Sequence, residues 1–387
     1  ATAPAVDAPV AVEASENPAA ASPAAPATFE EATPVVWRFS KRDHCDVVTF
    51  TKCNLRSLLD VADEKRRVEM DELKTLAEDL TTNAEKRLTV ESFSIRPSYH
   101  GLRGGDVGFD LSFKSLPDYS MWKTCIESAL SMLNIDESAL QANKFPAYPG
   151  ASGDRWHMHV ELDSKDLKRV LDLLKPVAGR THFVSISVDE TQPKHMRLLP
   201  DFLDGATVKS VTFNCSRRIG QKKSKKAKPM DFSPSLNLLQ KVKATELMYY
   251  REWATKELFD FLEEAAALVD QITIGSLCYE KKKEEPLPLS LAKTILSKKC
   301  TYLNVSDTTT KITLAEVEEM VKFFDEKDMK VSLAIPTKEK MMDIKVGAYR
   351  VKHANLRSSY RGNNQLLVEH EDMERKMEEI EQERYDC

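Results

Sequence analysis

From residue 156 onward, short segments in which apolar and polar residues alternate recur along the chain at nearly even intervals. They are 156–162 (Trp-His-Met-His-Val-Glu-Leu), 182–188 (His-Phe-Val-Ser-Ile-Ser-Val), 208–214, 243–249, 270–275, 301–305 and 329–335. The alternation predicts a strand at each. Successive starts lie 26, 26, 35, 27, 31 and 28 residues apart. Helical spacing fills several of the gaps. Thr313 followed by Leu314, Val317, Val321 and Phe324 predicts a helix with Thr313 as N-cap and Glu316 closing a capping box. Ser164 is expected to cap a second helix carrying Leu167, Val170, Leu171 and Leu174, and Pro176 to end it. A third spans 253–268, with Leu258, Phe261, Leu262 and Ala265 on one stripe.

One such strand–helix unit cannot bury its own apolar face, whereas stacked units can. The interval is that of leucine-rich repeats, in which each unit gives a strand to a parallel sheet and a return helix to the outer layer. The LxxLxLxxN consensus itself is missing. The 35-residue step contains the lysine-rich stretch 217–228 and reads as a unit with an insertion. The expectation is an α/β protein whose residues 151–369 form an irregular leucine-rich-repeat-like strand–helix solenoid.

Ahead of it the pattern is different. Residues 1–34 are an Ala/Pro-rich tail with almost no large apolar side chain, so they are expected to be disordered. Residues 35–150 predict a small α+β region. Strands are expected near 37–50, at Leu88–Ile95 and at Val107–Phe113, the last two joined by a hairpin turn over Gly101–Gly108. Asn54 opens a helical stretch with stripes at Leu55, Leu58, Leu59 and Ala62, then Leu73, Leu76, Ala77 and Leu80. Another helix covers Tyr119–Leu133, and a Pro/Gly break at 145–150 marks a domain boundary. Residues 370–387, with Met373, Met377 and Ile380 on one stripe, predict a charged C-terminal helix.

Charge and cysteine content narrow the function classes. The 387 residues carry a net charge of −5, so no global basic field draws the chain to nucleic acid or anionic membrane. No run of 18 apolar residues and no secretory signal is present, and no membrane association is expected. Seven cysteines, widely spaced and without a CxxC pair, fit a reduced compartment, cytoplasmic and/or nuclear. Asn214-Cys215-Ser216 and Asn304-Val305-Ser306 match the glycosylation sequon, but both asparagines fall on expected strands.

Few residues suggest chemistry. His157 and His159 share one face of a strand, yet no third metal ligand accompanies them, so no metal site is expected. The glycines at 101–108 contain neither GxGxxG nor GxxxxGK[ST]. No hydrolase, zincin or kinase string occurs, so the chain reads as a non-enzyme without cofactor. Cys215 beside Arg217 and Arg218 is the nearest to an activated thiol, and it reads more simply as an inward strand-end residue. A solenoid's strand face would meet a protein partner, with His157, His159, Thr212 and Arg217 as contributors. The alternative is a nuclear nucleic-acid-associated or scaffold protein. It rests on the basic run holding Arg217, Arg218, Lys222, Lys223, Lys225, Lys226 and Lys228, which also reads as an import signal.

Residues 156–369 resemble the F-box-associated, FTH-type domains of nematode F-box proteins. The cadence is carried by FLDGATVKSVTFN (202–214), ATELMYYREW (244–253) and KKCTYLNVSDTTTKITLAEVEEMVKFF (298–324). The resemblance implies a target-binding module, and hence a substrate receptor of an SCF-type ubiquitin ligase that also engages a Skp1-like partner. The F-box itself, with its Leu-Pro entry, is not recognisable between Trp37 and Leu133.

Overall fold

The computed structural model describes residues 67–97, 107–145, 155–189, 193–214, 231–251, 256–276, 287–306, 311–337, 344–354 and 365–373. Through them one spacing of apolar side chains returns six times: an apolar residue, a second three positions on, and a third two positions after that. It reads Val90, Phe93, Ile95; Phe183, Ile186, Val188; Val208, Val211, Phe213; Ala244, Leu247, Tyr249; Val269, Ile272, Ile274; and Cys300, Leu303, Val305. Every one of these side chains is buried. Burying a large apolar side chain contributes about 1.5–3 kcal/mol, so each triplet is a strong local determinant of its unit.

In chain order the elements are α1 (Arg67–Thr82), β1 (Leu88–Pro97), β2 (Val107–Phe113), α2 (Leu116–Met132), β3 (Leu140–Phe145), β4 (Arg155–Leu162), α3 (Ser164–Ala178) and β5 (Thr181–Asp189). There follow α4 (Pro193–Met196), α5 (Leu199–Phe202), β6 (Thr207–Asn214), α6 (Ser233–Val242), β7 (Glu246–Arg251), α7 (Lys256–Ala265), β8 (Gln271–Ser276) and α8 (Leu289–Leu296). The last are β9 (Tyr302–Val305), α9 (Leu314–Glu326), β10 (Ser332–Pro336), β11 (Ile344–Val346), β12 (Tyr349–Ala354) and β13 (Gln365–His370).

All thirteen strands of the described residues form one mixed sheet, in the order β11-β12-β13-β10-β9-β8-β7-β6-β5-β1-β2-β4-β3. From β5 to β10 the strands are parallel and adjacent in chain order, and every connection contains helix. β1 lies parallel beside β5. The two flanks are antiparallel: β2, β4 and β3 on one side, β13, β12 and β11 on the other.

Register shows which face holds the core. The line Met158–Leu111–Phe93–Ile186–Val211–Leu247–Ile272–Leu303–Leu333–Val368–Val351 crosses eleven strands. All of it is buried. The helices pack on this side. Trp122 of α2 meets Phe183 edge-on, Phe202 of α5 meets Phe93, Phe261 of α7 meets Phe213 and Tyr249, and Phe324 of α9 meets Tyr349. Neighbouring helices also tie to one another, as in the Lys293–Glu319 pair (2.6 Å) between α8 and α9.

The seven expected strands all exist, and the Thr313–Glu316 capping box is formed with both hydrogen bonds present. Three expectations are corrected. The segment 156–162 is β4, antiparallel to β2 and β3, and the place beside β5 belongs to β1. Alternation marks a strand but carries no information on its direction. Second, residues 344–370 make an antiparallel meander where the strand–helix rhythm was expected to run to 369. Third, Pro176 lies inside α3, which starts at Ser164 with Asp163 as N-cap and ends at Ala178. Pro deprives the Asp172 carbonyl of its helical donor. The last turn nonetheless persists because it buries Val177 and Ala178 completely. Residue 150, the expected boundary, lies between β3 and β4, which pair across six residues of the same sheet. The tail 1–34, the strands near 37–50, the cap at Asn54 and residues 374–387 lie outside the described residues.

Candidate functional site

The sheet face away from the helices is polar. Its first register line is His157–Ser112–Ser92–Ser185–Ser210–Glu246–Gln271–Tyr302–Ser332–Glu369–Arg350–Lys345. The next, two residues along, is Gln141–His159–Asp110–Ser94–Ser187–Thr212–Met248–Thr273–Asn304–Ala334–Leu367–Lys352. Alternation alone requires this division: each buried member of a triplet sends its strand neighbour to the opposite side.

Three zones follow across the face. On β2, β1, β5 and β6 the two lines supply seven hydroxyls and one carboxylate. The hydroxyls partly bond one another and the next row: Ser92 Oγ and Ser112 Oγ are 2.5 Å apart, and Asn214 Nδ2 donates to Ser187 Oγ at 2.7 Å. Toward β10 and β13 the face carries aromatic and charged groups. Tyr302 is half-buried there; its burial and the Glu369 carboxylate raise its pKa, while a hydrogen bond with Asn304 acts the other way. Lys352 pairs with Glu369 at 3.2 Å. Between these zones Tyr250 lays its ring over Gly275, where any Cβ would collide with it.

The third zone is built around Asp110. Arg96 holds both carboxylate oxygens, with Nε–Oδ2 at 2.9 Å and Nη2–Oδ1 at 3.1 Å. His159 Nδ1 donates to Oδ1 at 2.8 Å, and Ser94 Oγ donates to Oδ2 at 3.1 Å. The imidazole needs room, and Gly108 provides it: a Cβ there would come within 2.9 Å of His159 Cε1. Burial pushes the Asp110 carboxyl up, but the His159 hydrogen bond, the charges of Arg96 and His159 and the Ser94 hydroxyl outweigh it and hold the pKa below the usual carboxylate range. His157, next to this cluster, has its imidazole pKa lowered by burial and by Arg155, against a smaller opposing pull from Asp110.

The Asp110 shift makes a pH prediction. A carboxyl depressed in the folded state contributes stability that is complete above its unfolded value, near 3.9, and fades as pH falls toward the folded one. The stability difference between the native chain and Asp110→Asn should therefore shrink as pH falls below about 4. Urea unfolding at stepped pH measures it, and a difference that grows below about pH 4 would contradict the pairing.

Of the expected contact residues, His157, His159 and Thr212 share this one face. Thr212 stands four strands from His159 along the same line, about 19 Å away at the usual strand spacing. Arg217, Arg218, Lys222, Lys223, Lys225, Lys226 and Lys228 lie outside the described residues, in the connection that follows Asn214. Asp110, Arg96 and Tyr250 were not singled out from the sequence. Among the described residues no cluster of three or more His, Cys, Asp or Glu is placed to hold a metal, and no helix is long and apolar enough to cross a membrane. Cys125 and Cys300 are buried and their thiols pushed up to about 12, mainly by that burial, so neither is an activated nucleophile. Compared with known proteins, the chain matches no family model, no curated protein and no solved structure.

Proposed function

We propose that the parallel run is an irregular leucine-rich-repeat-like solenoid and that the chain is a protein-recognition module acting through its polar sheet face. The observation that carries this reading is the pair of register lines: small hydroxyls and amides in adjacent rows, opposite a face that the helices cover. Twelve strands at about 4.8 Å spacing give a line about 50 Å across. Strands of three to ten residues make the area of the sheet face comparable to the roughly 800 Å² each partner buries in a standard interface. Ser92, Ser94, Ser185, Ser187 and Thr212 are short and at least partly exposed, so a partner can approach the sheet closely at β1, β5 and β6, whereas Ser332, Ala334 and Glu369 are buried at β10 and β13.

Site-specific photo-crosslinking tests it. A crosslinking residue at Thr212 or Thr273 should give discrete protein adducts in extracts of the source cells. The same residue at Glu264 or Glu318, exposed on α7 and α9, should not. Equal adduct yields from both layers would remove the sheet face as the contact surface.

A finer form of the reading follows from the likeness of 156–369 to F-box-associated domains. The partner on the face is then a protein destined for ubiquitin transfer, and a Skp1-like adaptor binds residues 37–133. Co-purification through that segment tests it. Recovery of no such adaptor would sink the ligase form and leave the recognition surface standing.

A further inference from the structure

We infer that residues 98–162 are a lobe inserted into the first strand–helix unit, so that β1, and not β4, begins the run; the inference rests on reading the parallel run as repeated units. The triplets that follow Phe183 start 25, 36, 25 and 31 residues apart, at Val208, Ala244, Val269 and Cys300. Val90 and Phe183 are 93 residues apart. Residues 98–162 account for 65 of these, which leaves 28, within the range of the other steps. What remains is a complete unit: β1 with its buried Val90, Phe93 and Ile95, then α3 with its buried Leu167, Val170, Leu171 and Leu174, then β5 in parallel register from Leu88–Thr181 to Ile95–Val188.

The lobe also enters and leaves at one place. Pro97 is in register with Val107, and Val107 with Leu162. The two ends therefore lie two strands apart at the same end of the sheet, about 10 Å. Close ends are what allow one segment to be inserted into another without disturbing its host. Inside the lobe every strand pairing is antiparallel, unlike the run it joins. The recognition face is thereby in two parts. The repeat supplies most of the hydroxyl band, and the lobe adds His157, His159 and Asp110 beside Arg96.

Excision tests the inference. In the full chain, residues 98–162 are replaced by Gly-Ser-Gly-Ser between Pro97 and Asp163, since four residues span up to about 14 Å. The expected product unfolds in one cooperative urea transition, with an m-value reduced in keeping with the lost surface. α2 covers Phe183 through Trp122 (6.1 Å between rings), so its loss uncovers part of the core and by itself works against folding of the first variant. A second variant therefore removes only 135–162, joins Asn134 to Asp163 through Gly-Ser-Gly-Ser and keeps β2 and α2. A cooperative transition in the first variant supports the inserted lobe; where the first does not fold, a cooperative transition in the second supports its outer part, β3 and β4, as an addition to the run, and no cooperative transition in either overturns the inference. Crosslinking from Thr273, which lies outside the lobe, is read separately on the full chain. Its failure would count against the recognition surface and not against the insertion.

Discussion

Replacing Phe261 by Ala is expected to lower the free energy of unfolding by about 3–5 kcal/mol, the range for deleting a buried aromatic ring. The ring sits where four elements meet. It stacks on Phe232, ahead of α6, with centroids 4.8 Å apart and planes at 17°. It meets Phe213 of β6 at 6.1 Å and Tyr249 of β7 at 5.8 Å. Phe213 and Tyr249 are the third members of two successive triplets, so Phe261 bridges two units at once. Its removal would leave a cavity that neither neighbour can fill without dragging a strand, and incomplete relaxation is what enlarges such costs. Urea titration followed by far-UV circular dichroism measures the loss as a shifted midpoint at unchanged m-value. Phe323, half-buried on α9 with Lys293 above its ring, is the matched control. Phe323→Ala should cost clearly less, because its ring borders solvent. Equal costs for the two would mean that Phe261 does not join the units.

That contrast also shows which features were legible in the sequence. Strand positions from 182 onward were readable because Ile186 and Val188, or Val211 and Phe213, alternate with Ser or Thr over a segment bounded by polar residues. The stronger signal, the six triplets, was hidden by its chemistry. The apolar positions are held by Val, Phe, Ile, Ala, Tyr and Cys as well as Leu, so a search for leucines and a following Asn finds nothing. Allowing any apolar residue at the first, fourth and sixth positions recovers the pattern, with β1 included. Strand direction was not legible, since β4 alternates as cleanly as β5 yet runs in an antiparallel flank. The meander at 344–370 was missed for another reason. Its outward positions on β11 and β12 are Lys345, Arg350 and Lys352, which read as loop when strand pairing cannot be seen. At the site, His157, His159 and Thr212 were placed on strand faces correctly. Asp110 was beyond reach: it is 49 residues from His159 in the chain, and only the β2–β4 register brings them together.

Thr273→Arg is expected to weaken partner binding by about thirtyfold or more, the equivalent of losing a central contact of about 2 kcal/mol. Position makes the effect large. β7 is the seventh of thirteen strands, and Thr212, Met248 and Thr273 form one line across β6, β7 and β8 at the middle of the face. Interface energy concentrates near such centres, with aromatic side chains prominent, and Tyr250 lies two residues beyond Met248 with its ring over Gly275. A guanidinium at 273 stands where the partner must approach most closely, and docking would desolvate it without a matching acid. Folding should be almost unaffected, because Thr273 is only half-buried and its neighbours in the line are Met248 and Asn304, neither charged. Glu264→Arg, on the exposed side of α7, makes a larger change of charge at a place the reading leaves free, and it should alter binding less than twofold. Affinity of both variants for a partner recovered by crosslinking, measured at two salt concentrations, separates blocked docking from a general electrostatic effect. Were the two substitutions to act alike, or Glu264→Arg to act more strongly, the centre of the sheet would not be where the partner binds.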